Sequence, residues 1–214
     1  MKKTMADAYL AGLKAKLKAE GRQSTLDDLA RATGASESDI ARLRAVYPKC
    51  PHSLIGLLGQ LDGTYFRKYR ARKVSRCVLG SDIFEFPYYL LSAAQIVADA
   101  TSRFSGETIR DIYGDEIDTW LPVTRDPRPG QGHRDDRIDP DIPVGRWLHF
   151  ADCMNNGGSS KLFIDFNPRG QGAVGQVIRF LHDPDSYAVI ADSFDAYLQN
   201  LMDDAYSFLA NEED

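Results

Sequence analysis

A glycine-rich stretch is the first candidate for chemistry in this chain. Within DFNPRGQGAVGQVIRF (165–180), Gly170, Gly172 and Gly175 spell G-x-G-x-x-G. A dinucleotide-binding loop needs a strand before these glycines and a helix opening at the third one, whose amides hold the pyrophosphate. The strand KLFIDF precedes them, but QVIRF is β-branched and aromatic, and Pro184 would stop a helix early. We therefore predict a turn between two strands and no bound cofactor.

Single polar residues could also serve catalysis or hold a metal ion, but their spacing is unfavourable. The four histidines, which show no H-x-x-x-H or Cys/His spacing, are His52, His133, His149 and His182. No nucleophile elbow or phosphate-loop lysine motif is present. Asp165 could act as a base or metal ligand, but alone it is expected to accept hydrogen bonds from backbone amides of the following turn. We predict no catalytic residue and no metal site, and hence a protein that is not an enzyme.

The chain ends in a strongly acidic segment. Residues 181–214 contain nine Asp or Glu residues and no Lys or Arg. Such a surface could steer association with a basic partner, and toxins that cut nucleic acid are typically basic. The alternative interpretation is a solvated outer face of a helix. The candidate contact residues of this segment are Asp195, Asp203 and Asp204, and a second choice of contact surface is the turn with Asn167, Arg169 and Gln171.

A nucleic-acid interface is a further possibility near the start of the chain. LDDLARATGASESDIARLRA (26–45) has the spacing of a helix-turn-helix. A recognition helix usually presents basic and amide side chains from its first turn, whereas this one begins with Glu37 and Asp39, which phosphates would repel. A basic run at 67–76, with six Lys or Arg residues and no acid, favours nucleic acid slightly, but such runs are usually solvated. Nucleic acid is therefore not the expected partner.

Helices are expected in the first half of the chain. A basic amphipathic helix is predicted at 3–20, and the capping-box spellings Thr25/Asp28 and Ser36/Asp39 predict two more. The apolar segment HSLIGLL indicates a fourth helix, closed by a DG turn.

The remainder is expected to alternate between strands, one loop and two helices. RCVLG and IFEF are predicted as short strands, followed by a helix at 93–104 and an irregular loop at 122–145 that holds half of the ten prolines. GRWLHFADC, KLFIDF and GQVIRFL have the composition of consecutive antiparallel strands. Apolar residues recur at helical spacing between Phe194 and Leu209, which predicts a C-terminal amphipathic helix.

The whole-chain composition is that of an ordinary globular protein. The chain has 214 residues, 43% of them hydrophobic, and a formal net charge of −5, which does not favour nucleic acid or acidic membranes. The three cysteines Cys50, Cys77 and Cys153 are an odd number without a C-x-x-C motif, which favours reduced thiols. No run approaches the length needed to span a membrane, and the basic start lacks an apolar region. We therefore expect a cytoplasmic protein.

Two stretches of the chain resemble the SUKH superfamily, whose best-known branch is the fungal cell-wall assembly (glucan-synthesis) regulators. The C-terminal motif comprises Trp147 opening a strand, FIDFNP at 163–168, the turn and strand start at 172–177, and VIADSFDAYL at 189–198. Upstream, SESDIARLRAVYPKCPHSLIGLLGQLDGTYF (36–66) is similar to the family's opening of a helix, a proline, a second helix and a DG or NG turn. The Pro-rich loop and the N-terminal helical segment depart from that pattern.

The resemblance implies an α+β fold: a mixed, mostly antiparallel sheet flanked by helices, with a C-terminal amphipathic helix and no catalytic machinery. It divides the chain into an N-terminal helical extension, 1–35, and a SUKH-like domain, 36–214, that carries the Pro-rich loop 122–145. Bacterial members are thought to be mainly immunity proteins that neutralise toxins exchanged between competing cells. We therefore expect a non-enzymatic protein-binding domain, an immunity protein whose partner is a basic toxin domain. A regulatory scaffold of cell-wall or glucan synthesis is the alternative, and a helix-turn-helix DNA-binding protein is third.

Overall fold

Short-range capping signals set most of the helices of this protein. The structure is a computed structural model that describes residues 4–83, 85–123, 132–154, 160–182 and 184–211. Ser36 and Ser92 accept hydrogen bonds from the amides of Asp39 and Gln95, as their spacing predicts. The helices are α1 (Met5–Ala19), α2 (Gln23–Arg31), α3 (Glu37–Val46), α4 (His52–Leu58), α5 (Ala93–Ala100), α6 (Ile109–Tyr113) and α7 (Phe194–Asp203).

The strands form a two-stranded hairpin and a seven-stranded sheet. The hairpin consists of β1 (Arg67–Tyr69) and β2 (Arg72–Val74). The sheet has the order β3-β4-β6-β7-β8-β9-β5, and every neighbouring pair is antiparallel except β5 and β9. Its strands are β3 (Cys77–Leu79), β4 (Tyr88–Leu90), β5 (His133–Arg134), β6 (Leu148–Cys153), β7 (Ser160–Asp165), β8 (Gln176–Leu181) and β9 (Ser186–Ala191). The protein is thus α+β with a mixed, mostly antiparallel sheet, as predicted.

Both faces of the sheet are covered, and alternation along the strands separates them. On β7, Leu162 and Ile164 face the larger core, together with residues of α1, α4, α5 and α7. Phe163 points to the opposite face and belongs to a smaller cluster with Ile109, Trp147 and Tyr187. The segment between α5 and β6 therefore closes the second face of the sheet.

The N-terminal helical extension shares the larger core. Tyr9, Leu13 and Leu17 of α1 are buried, and the Tyr9 hydroxyl donates to the Val78 carbonyl at 2.6 Å. The Tyr206 hydroxyl in turn donates to the Tyr9 carbonyl at 2.9 Å. The first and last helical segments of the chain are therefore packed together.

The structure corrects three local predictions. Helix α2 begins at Gln23, so Thr25 lies buried inside it and is not its cap. The described residues of IFEF (83–86) form no strand, and the strand lies at Tyr88–Leu90 instead; Phe84 is outside the described residues. Helix α5 ends at Ala100 rather than near Phe104.

The Pro-rich loop and the C-terminal helix also differ from prediction. Residues 124–131 of the loop lie outside the described residues, but β5 within it pairs in parallel with β9, so the loop supplies an edge strand. Helix α7 ends at Asp203, since Ala205 and Tyr206 adopt positive φ angles of 50° and 57°. The apolar periodicity beyond Asp203 continues in a 3-10 helix, Ser207–Asn211.

Candidate partner-binding surfaces

The glycine-rich stretch is the connection between β7 and β8. Asp165 accepts a hydrogen bond from the Asn167 amide at 2.7 Å and from the Gln176 side chain at 3.0 Å. Gly170 and Gly175 have φ angles of 58° and 93°, in the left-handed region that favours glycine. The strand β8 starts directly after Gly175, so no helix follows the third glycine. The prediction of a turn, with Asp165 bound to its backbone, is confirmed.

Three residues of this turn were candidate contacts, and all three are exposed. They are Asn167, Arg169 and Gln171. Asn167 lies at the rim of a cleft of about 530 Å³, which Lys49 and Arg146 border with exposed side chains. This cleft has no carboxylate among its described lining residues, so its local charge is positive.

The three candidate aspartates of α7 are exposed but lie at its two ends. Asp195 is in the first turn, beside Gly175 of the β7–β8 turn and His52, in a shallow pocket of about 310 Å³. Asp203 and Asp204 lie at the other end, about 12 Å away at 1.5 Å of rise per residue. The structure therefore brings Asp195 close to the β7–β8 turn and separates it from the other two aspartates.

A second cleft, of about 500 Å³, opens at the C-terminal end of α7. Asp82 and Asp204 line it, with Asn200 and Ser207. Asp82 follows β3 in the sequence, and the buried Arg179 guanidinium on β8 donates to it at 2.6 and 3.1 Å. Sequence patterns do not identify Asp82, because nothing local connects it with Arg179, which is 97 positions away.

The electrostatics of this acidic cleft are unfavourable for the helix that builds it. The C-terminal end of a helix carries a partial negative charge, which Lys or Arg normally offsets. The last turn of α7 contains no basic residue and ends at Asp203 and Asp204. Asp203 accepts a hydrogen bond from Gln199 at 2.7 Å, and Asp204 accepts one from Ser207. The C-terminal end of α7 therefore presents an excess of negative charge to solvent, and Asp204 brings part of it into the cleft.

Buried ionisable groups near the sheet are occupied by structural contacts. His149 is 3% exposed, and its ring nitrogens lie 3.1 Å from an Asp99 oxygen and 3.1 Å from the Ala151 carbonyl. Burial acts to lower the pKa of His149, but the hydrogen bonds with Asp152 and Asp99 outweigh it and raise the pKa above its usual value. Burial raises the pKa of Asp165, against the opposing effect of its hydrogen bonds.

The predicted helix-turn-helix segment is not arranged as a packed pair. Helix α2 packs on α1, whereas α3 packs on α5. Asp39 in the first turn of α3 binds both Ser36 and Arg42, and these hydrogen bonds lower the pKa of its carboxyl. Neither helix presents the arrangement in which the first supports the second in a DNA groove.

Within the described part of the chain, no group of three or more His, Cys, Asp or Glu residues is placed to hold a metal ion. Cys50, Cys77 and Cys153 are buried, and burial raises the pKa of the Cys50 thiol to about 12. Among the described helices, none has both the length and the apolar character needed to cross a membrane.

Together these features define an α+β protein whose seven-stranded sheet is covered on both faces and whose clefts open beside exposed turns. A family model described as the SMI1 / KNR4 family (SUKH-1) matches residues 34–200. The chain belongs to this family, which confirms the resemblance found in the sequence. Family membership supports a role in protein binding, of an immunity or regulatory kind. No curated protein matches the chain at a significant level.

Proposed function

We propose that this protein is a cytoplasmic, non-enzymatic immunity protein that binds and neutralises a basic toxin domain exchanged between competing cells. Membership in the SUKH-1 family supports the general role in protein binding. The choice of a basic partner depends on a feature of this chain itself, the acidic cleft at the C-terminal end of α7.

The observation that carries the proposal is the negative charge at the C-terminal end of α7, which no basic residue in the last turn of that helix offsets. Asp203 and Asp204 stand at the negative end of a helix dipole, where carboxylates reduce helix stability. Asp82 also lines the cleft and is 42% exposed, but its charge is paired with the buried Arg179 guanidinium. Carboxylates at a position that disfavours folding suit Lys or Arg side chains of a partner, and long-range attraction would accelerate the association.

The absence of an enzymatic role is part of the same proposal. His149 and Asp165 are two buried groups whose types could serve acid–base chemistry, and each is held by hydrogen bonds to neighbouring elements. A group used in this way stabilises the fold and has no free position from which to reach a substrate.

The test is protection of cells against a toxin. The toxin used is one encoded directly upstream that has a basic C-terminal domain; that domain is expressed with and without this protein. We expect growth to be rescued and the two purified proteins to form a complex whose association rate falls as salt is raised. Failure of this protein to rescue growth or to bind the domain would reject the immunity role.

The alternative is a regulatory scaffold of cell-wall or glucan synthesis, and the same family membership supports it. It predicts a different outcome: deletion of the gene changes wall composition and leaves sensitivity to the toxin unchanged. The third possibility, DNA binding, predicts a footprint at a defined site that is lost when Arg42 and Arg44 are replaced.

A further inference from the structure

The basic run at 67–76 folds into the β1–β2 hairpin. The register places Lys68 directly opposite Lys73 and Tyr69 opposite Arg72. Like charges directly opposite each other on a strand pair are destabilising. No acidic residue occurs between Gly63 and Ser81 to offset them. The hairpin therefore maintains a concentration of positive charge that folding alone does not favour.

The backbone of the hairpin is also strained. Its two-residue loop begins at Arg70, which has a φ of 53°, and Phe66 just before β1 has a φ of 49°. Gly, Asn or Asp usually occupy such positions in hairpin loops, because larger side chains are disfavoured there. Strained residues of this kind concentrate at sites of function. Arg70 is exposed, so this strained position places a positive charge at the tip of the hairpin.

The cations of the run divide into those that anchor the hairpin and those that do not. Arg67 donates to Asp62 at 2.6 Å, and Arg76 donates to Asp28 at 2.9 Å. The exposed cations without an acidic partner among the described residues are Lys68, Arg70, Arg72 and Lys73.

The buried Tyr69 and Val74 attach the same hairpin to the body of the protein, and the Tyr69 hydroxyl donates to the Gly63 carbonyl at 2.8 Å. The outer cations therefore stand on a fixed support. A fixed support lowers the entropy lost when a ligand binds.

An aromatic cluster borders these cations. The Lys73 ammonium lies 4.2 Å from the centroid of the Phe66 ring, and Phe66 is 39% exposed. The Phe66 ring is 5.2 Å from Tyr65 and 5.7 Å from Tyr89, measured between ring centroids. The surface thus combines positive charge with an accessible apolar ring.

We propose that the β1–β2 hairpin binds an acidic polypeptide segment of a partner protein. Carboxylates of that segment would pair with Lys68, Arg70 and Arg72, while an aromatic or apolar side chain beside them contacts Phe66. Charge complementarity selects the acidic partner. A peptide fits better than a nucleic acid, because each strand of the patch is only about 10 Å long. This surface is separate from the acidic cleft, and its role does not depend on the immunity proposal.

The test uses two labelled probes. One is a peptide of twelve residues, all glutamate except one central tryptophan, and the other is a single-stranded oligothymidine of fifteen nucleotides. The protein is titrated into each probe, and binding is followed by fluorescence anisotropy. We expect the peptide to bind with an affinity that falls as salt rises, and to lose at least tenfold in affinity in the Lys68→Gln/Arg72→Gln variant. The matched control is Lys14→Gln/Lys18→Gln, which removes two exposed cations from α1 and should leave the affinity unchanged.

Three outcomes would overturn the proposal. The first is that the wild-type protein fails to bind the peptide at low salt. The second is that the hairpin variant and the control lose affinity equally, which would indicate only a general charge effect. The third is that oligothymidine binds more tightly than the peptide, which would mean that the hairpin binds a nucleic acid and not an acidic polypeptide segment. Thermal melting of each variant ensures that only folded proteins are compared.

Discussion

Arg179 and Asp82 form an ion pair that joins the centre of the sheet to the acidic cleft. The guanidinium is 3% exposed and donates two hydrogen bonds to the carboxylate, which is 42% exposed. Arg179 also donates to the Ser186 hydroxyl at 3.1 Å. One partner is therefore buried and the other reaches solvent, and the two ends of the pair should respond differently to substitution.

Asp82→Asn is expected to destabilise the protein more than Arg179→Met. The first change leaves a buried guanidinium without a counter-charge, which costs about 3 kcal/mol. The second leaves a carboxylate that water can solvate, and it replaces the buried charge by an apolar side chain of similar length. Urea denaturation of both variants measures the difference. If Arg179→Met destabilises the protein more than Asp82→Asn does, the Arg179 guanidinium is not desolvated in solution.

Asp203→Asn/Asp204→Asn should slow association with a basic toxin domain by about tenfold. The same change should raise the free energy of unfolding by about 0.3–1 kcal/mol, because it removes carboxylates from the negative end of the α7 dipole. Stopped-flow kinetics and chemical denaturation measure the two effects. Asp115→Asn/Glu116→Gln is the control, since it neutralises two adjacent exposed carboxylates elsewhere. An unchanged association rate would reject the acidic cleft as the contact.

Asp195→Asn tests the other end of α7. Asp195 lies in the first turn, where a negative charge is favourable, so its removal should lower stability slightly. If the toxin contacts the β7–β8 turn rather than the acidic cleft, this variant will slow association and the Asp203/Asp204 variant will not. The comparison therefore decides between the two candidate surfaces.

His149 should make stability depend on pH. Its pKa is raised in the folded protein, so the stabilisation is fully present below the unfolded value of about 6.5 and is lost as pH rises through the folded pKa. Asp99 and Asp152 lie beside the ring, and Lys161 opposes their effect. The unfolding free energy of the wild type should fall relative to that of His149→Gln as the pH rises above about 6.5. If the unfolding free energies of the wild type and of His149→Gln change with pH in parallel, the His149 ring does not gain a proton on folding.

Gly172 is expected to be required by packing and not by a nucleotide. A Cβ at this position would lie 2.6 Å from Pro168 Cβ and 3.0 Å from the Arg137 carbonyl oxygen. Gly172→Ala should therefore cost about 1–3 kcal/mol, whereas Gly106→Ala, where a Cβ meets nothing within 4 Å, should be close to neutral. Calorimetric titration with NAD(H), NADP(H) and FAD should give no low-micromolar binding. Such binding by the wild type would contradict the structural role.

Phe194→Ala should destabilise the protein by about 3–5 kcal/mol, since it removes a buried ring from the start of α7. The ring meets Phe150 of β6 edge to face, with centroids 5.3 Å apart. Gln199→Ala, on the exposed face of the same helix, is the control. Equal melting temperatures for both variants would mean that α7 is not docked on the sheet.

The sequence by itself determined those features that depend on neighbours a few residues apart. Ser36 and Ser92 cap helices because the amides that they bind are three residues away. Asp165 binds the Asn167 amide for the same reason, and the glycine-rich stretch is a turn because β-branched and aromatic residues follow it. The aromatic and β-branched composition of three runs also predicted the antiparallel strands β6, β7 and β8.

Only the tertiary structure decided features whose partners are far apart in the chain. Thr25 has the spelling of a cap, but its burial places it within α2, and its expected partner Asp28 binds Arg76 instead. The pairing of His133 with Ser186 joins residues 53 positions apart, which no local pattern in the Pro-rich loop encodes. Asp82 reaches the acidic cleft because Arg179 holds it across 97 positions. Such contacts form only when distant segments meet in one core, so their energies are decided by packing and not by local sequence.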